Sequence, residues 1–62
     1  MTSKEAEAII KKDGWRLVKI EGSHHQYKHP FKRGKVTIPF HLKPKDLDKK
    51  TINSILKQAG LK

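Results

Sequence analysis

The sequence predicts an α+β domain in the order α-β-β-β-α, a three-stranded antiparallel sheet carrying both helices on one face. Two amphipathic stretches with capping residues stand at the ends of the chain, and three short extended runs, broken by glycine and proline, lie between them. Only 34% of the 62 residues are hydrophobic and another 34% are charged, so one thin apolar layer must serve the whole chain. A domain of this size buries only about 60% of the surface its unfolded chain exposes. Residues 1–62 are therefore read as a single domain.

The first helix opens on Thr2-Ser3-Lys4-Glu5, a capping box in which the Thr2 hydroxyl serves the free amides and Glu5 reaches back. Ala6, Ile9 and Ile10 fall on one face, while Glu7 and Lys11 pair one turn apart on the other. Gly14 ends the helix by taking left-handed backbone, and Trp15 folds back toward Ile10. From Trp15 to Glu21, aromatic and branched residues mix with charges in near alternation, the pattern of a half-buried strand. Gly22-Ser23 breaks that run, and His24 to His29 resumes it with Tyr27 as the core contact. Pro30 stops the second strand because it has no amide to donate.

Phe31-Lys32-Arg33-Gly34 makes a basic turn. Lys35 to Phe40 is the third strand, with Val36, Ile38 and Phe40 on one face and Pro39 marking a sheet edge. Asp48 caps the last helix, whose inward stripe is Ile52, Ile55, Leu56 and Ala59. Gly60-Leu61 repeats the ending of the first helix, with Leu61 set against Leu56.

Fifteen Lys and Arg against six Asp and Glu give a formal charge of +9 and a pI near 10.1. That imbalance is silent on fold but predicts attraction to polyanions, nucleic acid first among them. The absence of cysteine excludes a disulfide framework and a thiolate zinc site, and it favours a reducing cytoplasm. No apolar run approaches the roughly 18 residues of a membrane span, and the N-terminal residues lack the apolar core of a signal peptide. The expectation is a soluble, cytoplasmic chain with no membrane partner.

Four histidines are the only side chains suited to proton transfer near neutrality. His24 directly follows the Gly22-Ser23 bend, where a hairpin fixes a side chain and leaves it reachable. Strand parity puts His24, Gln26 and Lys28 on one face and His25, Tyr27 and His29 on the other. With Tyr27 facing the helices, His24 and Lys28 share the open face. RNA cleavage needs such a pairing, a group that moves the ribose 2′-hydroxyl proton and cations that ease the charge on the phosphate.

Ser23, beside His24, and Lys28, Lys32, Arg33 and Lys35, which crowd the second hairpin, are the candidate RNA contacts. Arg16 and Lys19 ride the first strand, and Lys43, Lys45, Lys49 and Lys50 flank the start of the last helix. His25 and His29 read as packing or hydrogen-bonding groups, and His41 either ends a strand or stands near the hairpin. No metal site is expected, because zinc wants three or four ligands and no carboxylate or cysteine stands at helpful spacing. Spacing alone favours a plain surface histidine, and it leaves three rivals open: a non-catalytic RNA-binding module, a basic dock for an acidic protein, and a hydrolase built on Ser23.

Gly14-Trp15 after a short helix, Gly22-Ser23-His24-His25, Pro39-Phe40-His41 and the run Thr51 to Leu61 stand in the order seen in HicA toxins. Nearly the whole chain resembles that family. The resemblance implies a double-stranded-RNA-binding-domain-like fold, in agreement with the order of elements above. It further implies a metal-independent endoribonuclease of a toxin–antitoxin module, cleaving mRNA to arrest growth without a cofactor. On that resemblance His24 is the catalytic residue, and a cognate HicB-type antitoxin binds the toxin and shields it.

Overall fold

The computed structural model describes residues 1–40 and 46–62. Helix α1 (Ser3–Lys12), strands β1 (Arg16–Glu21), β2 (His24–Lys28) and β3 (Val36–Pro39), and helix α2 (Lys49–Gln58) follow in the expected order. The strands form one antiparallel sheet in the order β1-β2-β3, with β2 central. Among the described residues, no helix is long and apolar enough to cross a membrane.

Both helices are closed by the residues that the sequence nominates. The Thr2 amide donates to Glu5 Oε1 at 2.9 Å, and the Glu5 amide donates back to Thr2 Oγ1 at 3.2 Å. At the far end of α1 the Gly14 amide donates to the Lys11 carbonyl at 3.0 Å and the Trp15 amide to the Ile10 carbonyl at 3.1 Å. That is a Schellman ending, and it turns Trp15 into the core, where it is 2% exposed. Helix α2 starts on Asp48, whose carboxylate accepts from the Thr51 amide at 2.7 Å. It ends as α1 does, with Gly60 and Leu61 donating to Lys57 and Leu56.

The core lies between the sheet and the helices. Tyr27 on β2 pairs with Val36 on β3, and Ile38 follows on the same face. Ala6 and Ile10 of α1, Ile55 of α2, Ala59 and Leu47 complete the buried cluster with Trp15. The Tyr27 hydroxyl donates to the Glu7 carboxylate, so the one phenol in the core has its polar tip satisfied. Burial, then the bond to Glu7, pushes the Tyr27 pKa well above its ordinary value. Truncating a buried Ile in such a cluster costs about 2–5 kcal/mol, a large share of the total for so small a chain.

Strand β1 departs from the half-buried strand expected. All six of its residues are exposed, Leu17, Val18 and Ile20 to 39%, 54% and 55%. The cause is geometric, because the helices pack across β3 and reach β2 through Tyr27, so β1 overhangs them. A bulge also interrupts its pairing: Leu17 faces Tyr27 and Lys19 faces Gln26, which leaves Val18 as the extra residue. A regular strand would put Leu17 and Ile20 on opposite faces; the bulge puts both on the helix side. Ile9 also differs from expectation at 37% exposure, because α1 turns Ala6 and Ile10 inward and leaves Ile9 beside Leu61 at a shallow groove.

The two sheet edges are unlike. On β3 the outward Thr37 amide donates to Gln58 Oε1 at 3.1 Å, and Pro39 has no amide at all. The Pro39 carbonyl accepts from Ser3 Oγ at 2.5 Å. Pro39 thus sits on an edge, as its missing donor requires, and α1 and α2 cover that edge.

Candidate functional site

Gly22 and Ser23 form a two-residue turn that joins β1 to β2 and makes Glu21 and His24 the closing pair of the hairpin. Gly22 has φ +57 and Ser23 is not in the positive-φ region, the pattern of a type II′ turn with glycine first. His24 is the first residue of the central strand and is exposed. It stands between Glu21 of β1 and Pro39 of β3, on the face away from the helices. The buried Tyr27 fixes that parity, so His24, Gln26 and Lys28 form one open row.

Among the described residues, the nearest charged neighbours of His24 come from β1. Directly paired residues on one sheet face have their Cβ atoms about 4.5–5.5 Å apart, which sets the Glu21 side chain beside the imidazole. The Glu21 carboxylate pairs with Lys19 Nζ at 2.6 Å, two positions along the same face. Lys28 lies four residues along the strand, about 13 Å away at ~3.3 Å per residue. Lys35 leans over the middle of the row, its Nζ 3.5 Å from Gln26 Oε1. Arg33 is exposed in the loop that follows β2.

Lys32 is turned elsewhere. Its ammonium is 2.5 Å from Asp13 Oδ2 and 3.1 Å from the Ala59 carbonyl, so it ties together the C-terminal ends of both helices. The bond to Lys32 holds the Asp13 carboxyl below the usual carboxylate value. Of the sequence-derived candidates, the structure thus groups Lys28 and Lys35 with the open row, places Ser23 at its hairpin end, and sends Lys32 to the helix side. His41 lies outside the described residues, as do Lys43 and Lys45.

The other two described histidines sit on the helix side of the sheet. His25 stacks on Phe40 with centroids 3.9 Å apart and an interplanar angle of 17°. His29 Nδ1 accepts the Phe31 amide at 3.0 Å and the Lys32 amide at 3.1 Å. Its Nε2 lies 2.7 Å from the Asp13 carbonyl. A carbonyl only accepts and an amide only donates, so this network assigns His29 as the neutral Nε2–H tautomer. Among the described residues, no three His, Cys, Asp or Glu side chains come together to hold a metal ion.

Lys19 and Glu21 are neighbours of His24 that spacing along β2 alone does not reveal. The signal was present in the turn. A two-residue loop fixes residue 21 opposite residue 24, and strand parity then brings residue 19 to the same face.

Among curated proteins, none matches the chain. A family model described as the HicA toxin of bacterial toxin–antitoxin systems matches residues 3–61, nearly the whole length. That span takes in both helices, the whole sheet and the exposed His24 row. The chain belongs to the HicA toxin family.

Proposed function

We propose that this protein is an endoribonuclease that cleaves mRNA in the cytoplasm to arrest growth, and that a HicB-type antitoxin neutralises it. The observation that carries this reading is the exposed imidazole of His24 at the hairpin end of a cationic sheet face. On this reading His24 takes the proton from a ribose 2′-hydroxyl as the 2′-oxygen bonds to the adjacent phosphorus. The P–O5′ bond breaks, and the 5′-oxygen leaves with a proton from water or from the imidazolium. The products are a 2′,3′-cyclic phosphate and a 5′-hydroxyl end. A positioned group of this kind is worth about 10²–10⁴ in rate.

Lys19 is the described cation nearest the reacting phosphate on this reading, and Ser23 meets the strand at the turn. Lys28, Arg33 and Lys35 hold phosphates farther along, because ~13 Å of strand separates Lys28 from the imidazole. Lys32 contributes chiefly through the helix ends that it ties together. No metal or cofactor is assigned a step.

Expression of the unaltered chain should halt growth and deplete mRNA, whereas His24→Ala should do neither and keep its circular dichroism spectrum. The side chain is exposed and hydrogen-bonded to nothing among the described residues, so its loss leaves packing intact. RNA decay by the variant at the wild-type rate would remove His24 from the chemistry. Tight RNA binding without cleavage by either protein would favour the non-catalytic module instead.

A further inference from the structure

Strand β1 carries more exposed aliphatic surface than any other element. Leu17, Val18 and Ile20 fall within four consecutive residues and are 39–55% exposed. The bulge at Val18 gathers Leu17 and Ile20 on the helix side, where neither helix covers them. The strand is also an open edge. In an antiparallel hairpin closed by Glu21 and His24, the backbone N–H and C=O of Ile20 point away from β2. Neither has a partner among the described residues. The opposite edge is closed by Gln58, Ser3 and Pro39, so the chain protects one edge and leaves the other bare. Bare apolar edges recruit other chains unless something covers them.

Charge decides what kind of chain that is. The protein carries +9 overall; on β1 itself Arg16 and Lys19 lie on the open face, opposite Leu17 and Ile20, and Lys19 is paired with Glu21. A second copy would bring another +9 to the same edge, which opposes self-pairing. An acidic protein segment is drawn by that overall charge and by Arg16, and it buries the aliphatic side chains in the same step. Family membership supplies a protein partner of the right kind, since a toxin of a toxin–antitoxin pair has an antitoxin.

We infer that the overhanging edge of β1, centred on Leu17, Val18 and Ile20, is the docking surface for an acidic, aliphatic-anchored segment of the antitoxin. The inference rests on the toxin reading and assigns a surface within it. The bulge limits straight strand pairing to the stretch from Lys19 to Glu21, so the aliphatic side chains carry most of the contact.

The test is titration calorimetry of the toxin against its cognate antitoxin, with the Val18→Thr/Ile20→Thr double variant beside the unaltered chain. Threonine keeps β-branching, so the strand is preserved. RNA cleavage and circular dichroism should match the unaltered chain. The expected result is a dissociation constant raised about tenfold or more, ~1.4 kcal/mol per decade. Slowed amide hydrogen exchange at Ile20 should accompany complex formation. Phe31→Ser, an exposed apolar residue on a different loop, should leave affinity unchanged. Unaltered affinity in the double variant, or equal weakening by Phe31→Ser, overturns the surface alone. Protection of Ile20 by self-association or by RNA overturns the choice of occupant. If the unaltered chain binds no antitoxin, neutralisation by that partner fails and this surface fails with it.

Discussion

His29 Nε2 lies 2.7 Å from the carbonyl oxygen of Asp13, joining the end of β2 to the end of α1. The same ring accepts two loop amides through Nδ1 and stands edge-on to Trp15 at 5.3 Å. One imidazole therefore fixes the close of a helix, the exit of the central strand and a face of the largest core residue. The side chain of His24, five positions earlier, has no hydrogen bond among the described residues and is exposed. The histidines that open β2 and follow its last residue have opposite tasks, one open to solvent and one structural.

The first prediction follows from how tightly that ring is held. A Cβ on Gly14 would come within 2.7 Å of His29 Nε2, and φ at Gly14 is +111. Gly14→Ala must therefore strain its own backbone and displace the ring from Asp13, at a cost of about 1–3 kcal/mol. His29→Ala strands one carbonyl and two amides, a loss of similar size, ~1–3 kcal/mol. A chain of this length has roughly 3–9 kcal/mol in total, so either change should lower the melting temperature by on the order of 10 °C. Gly22→Asn, where a Cβ meets open space, should cost less. Equal melting of Gly14→Ala and the unaltered chain would show that the ring is not held as described.

The second prediction separates cations that reach for RNA from one that holds the fold. Replacing Lys28, Arg33 and Lys35 by Gln should weaken RNA binding and flatten its salt dependence by about 2, at ~0.7 per phosphate contact on a single strand. The fold should survive, because all three are exposed. Lys32→Gln should do the reverse: it breaks the links to Asp13 and Ala59, lowers the melting temperature and leaves the slope nearly unchanged. A steep slope retained by the triple variant would put the RNA elsewhere on the surface.

What the sequence made legible was local. The capping box at Thr2, the Asp48 cap and both glycine endings depend on contacts within a few residues, and each stands where the pattern put it. Parity at Tyr27 was enough to place His24 on the open face, because a period of two needs only one buried reference. Long-range facts were not legible. Nothing in Trp15 to Glu21 shows that the helices stop short of β1, since coverage depends on where two distant helices pack. Lys32 looked like its neighbours Arg33 and Lys35, and only the meeting of two helix ends separates it from them. The bulge hid in plain view: Leu17 and Ile20 are three apart, a spacing a regular strand cannot place on one face.

The third prediction concerns pH. The carboxyls of Glu5, Asp13 and Asp48 all lie below their ordinary values of 4.5, 3.8 and 3.8. The Thr2 amide lowers Glu5, the Lys32 ammonium lowers Asp13, and bonds from Thr51 lower Asp48. A carboxyl depressed on folding stabilises the native state above its unfolded value, and that contribution is lost as pH falls through the folded value. Stability should therefore hold down to about pH 5 and decline below the ordinary carboxylate range. Tyr27 gives the opposite limb. Its folded pKa is raised by burial, then by Glu7, so its contribution is full below the ordinary value of 10.0 and falls as pH climbs above it. Melting temperatures from pH 2 to 11 should trace a plateau with both declines. Asp48→Ala should lower the plateau and shallow the acid limb, because it removes one depressed carboxyl along with a helix cap. Tyr27→Phe should shallow the alkaline limb. An acid limb of unchanged steepness in Asp48→Ala would mean that the cap at Asp48 does not couple to the fold.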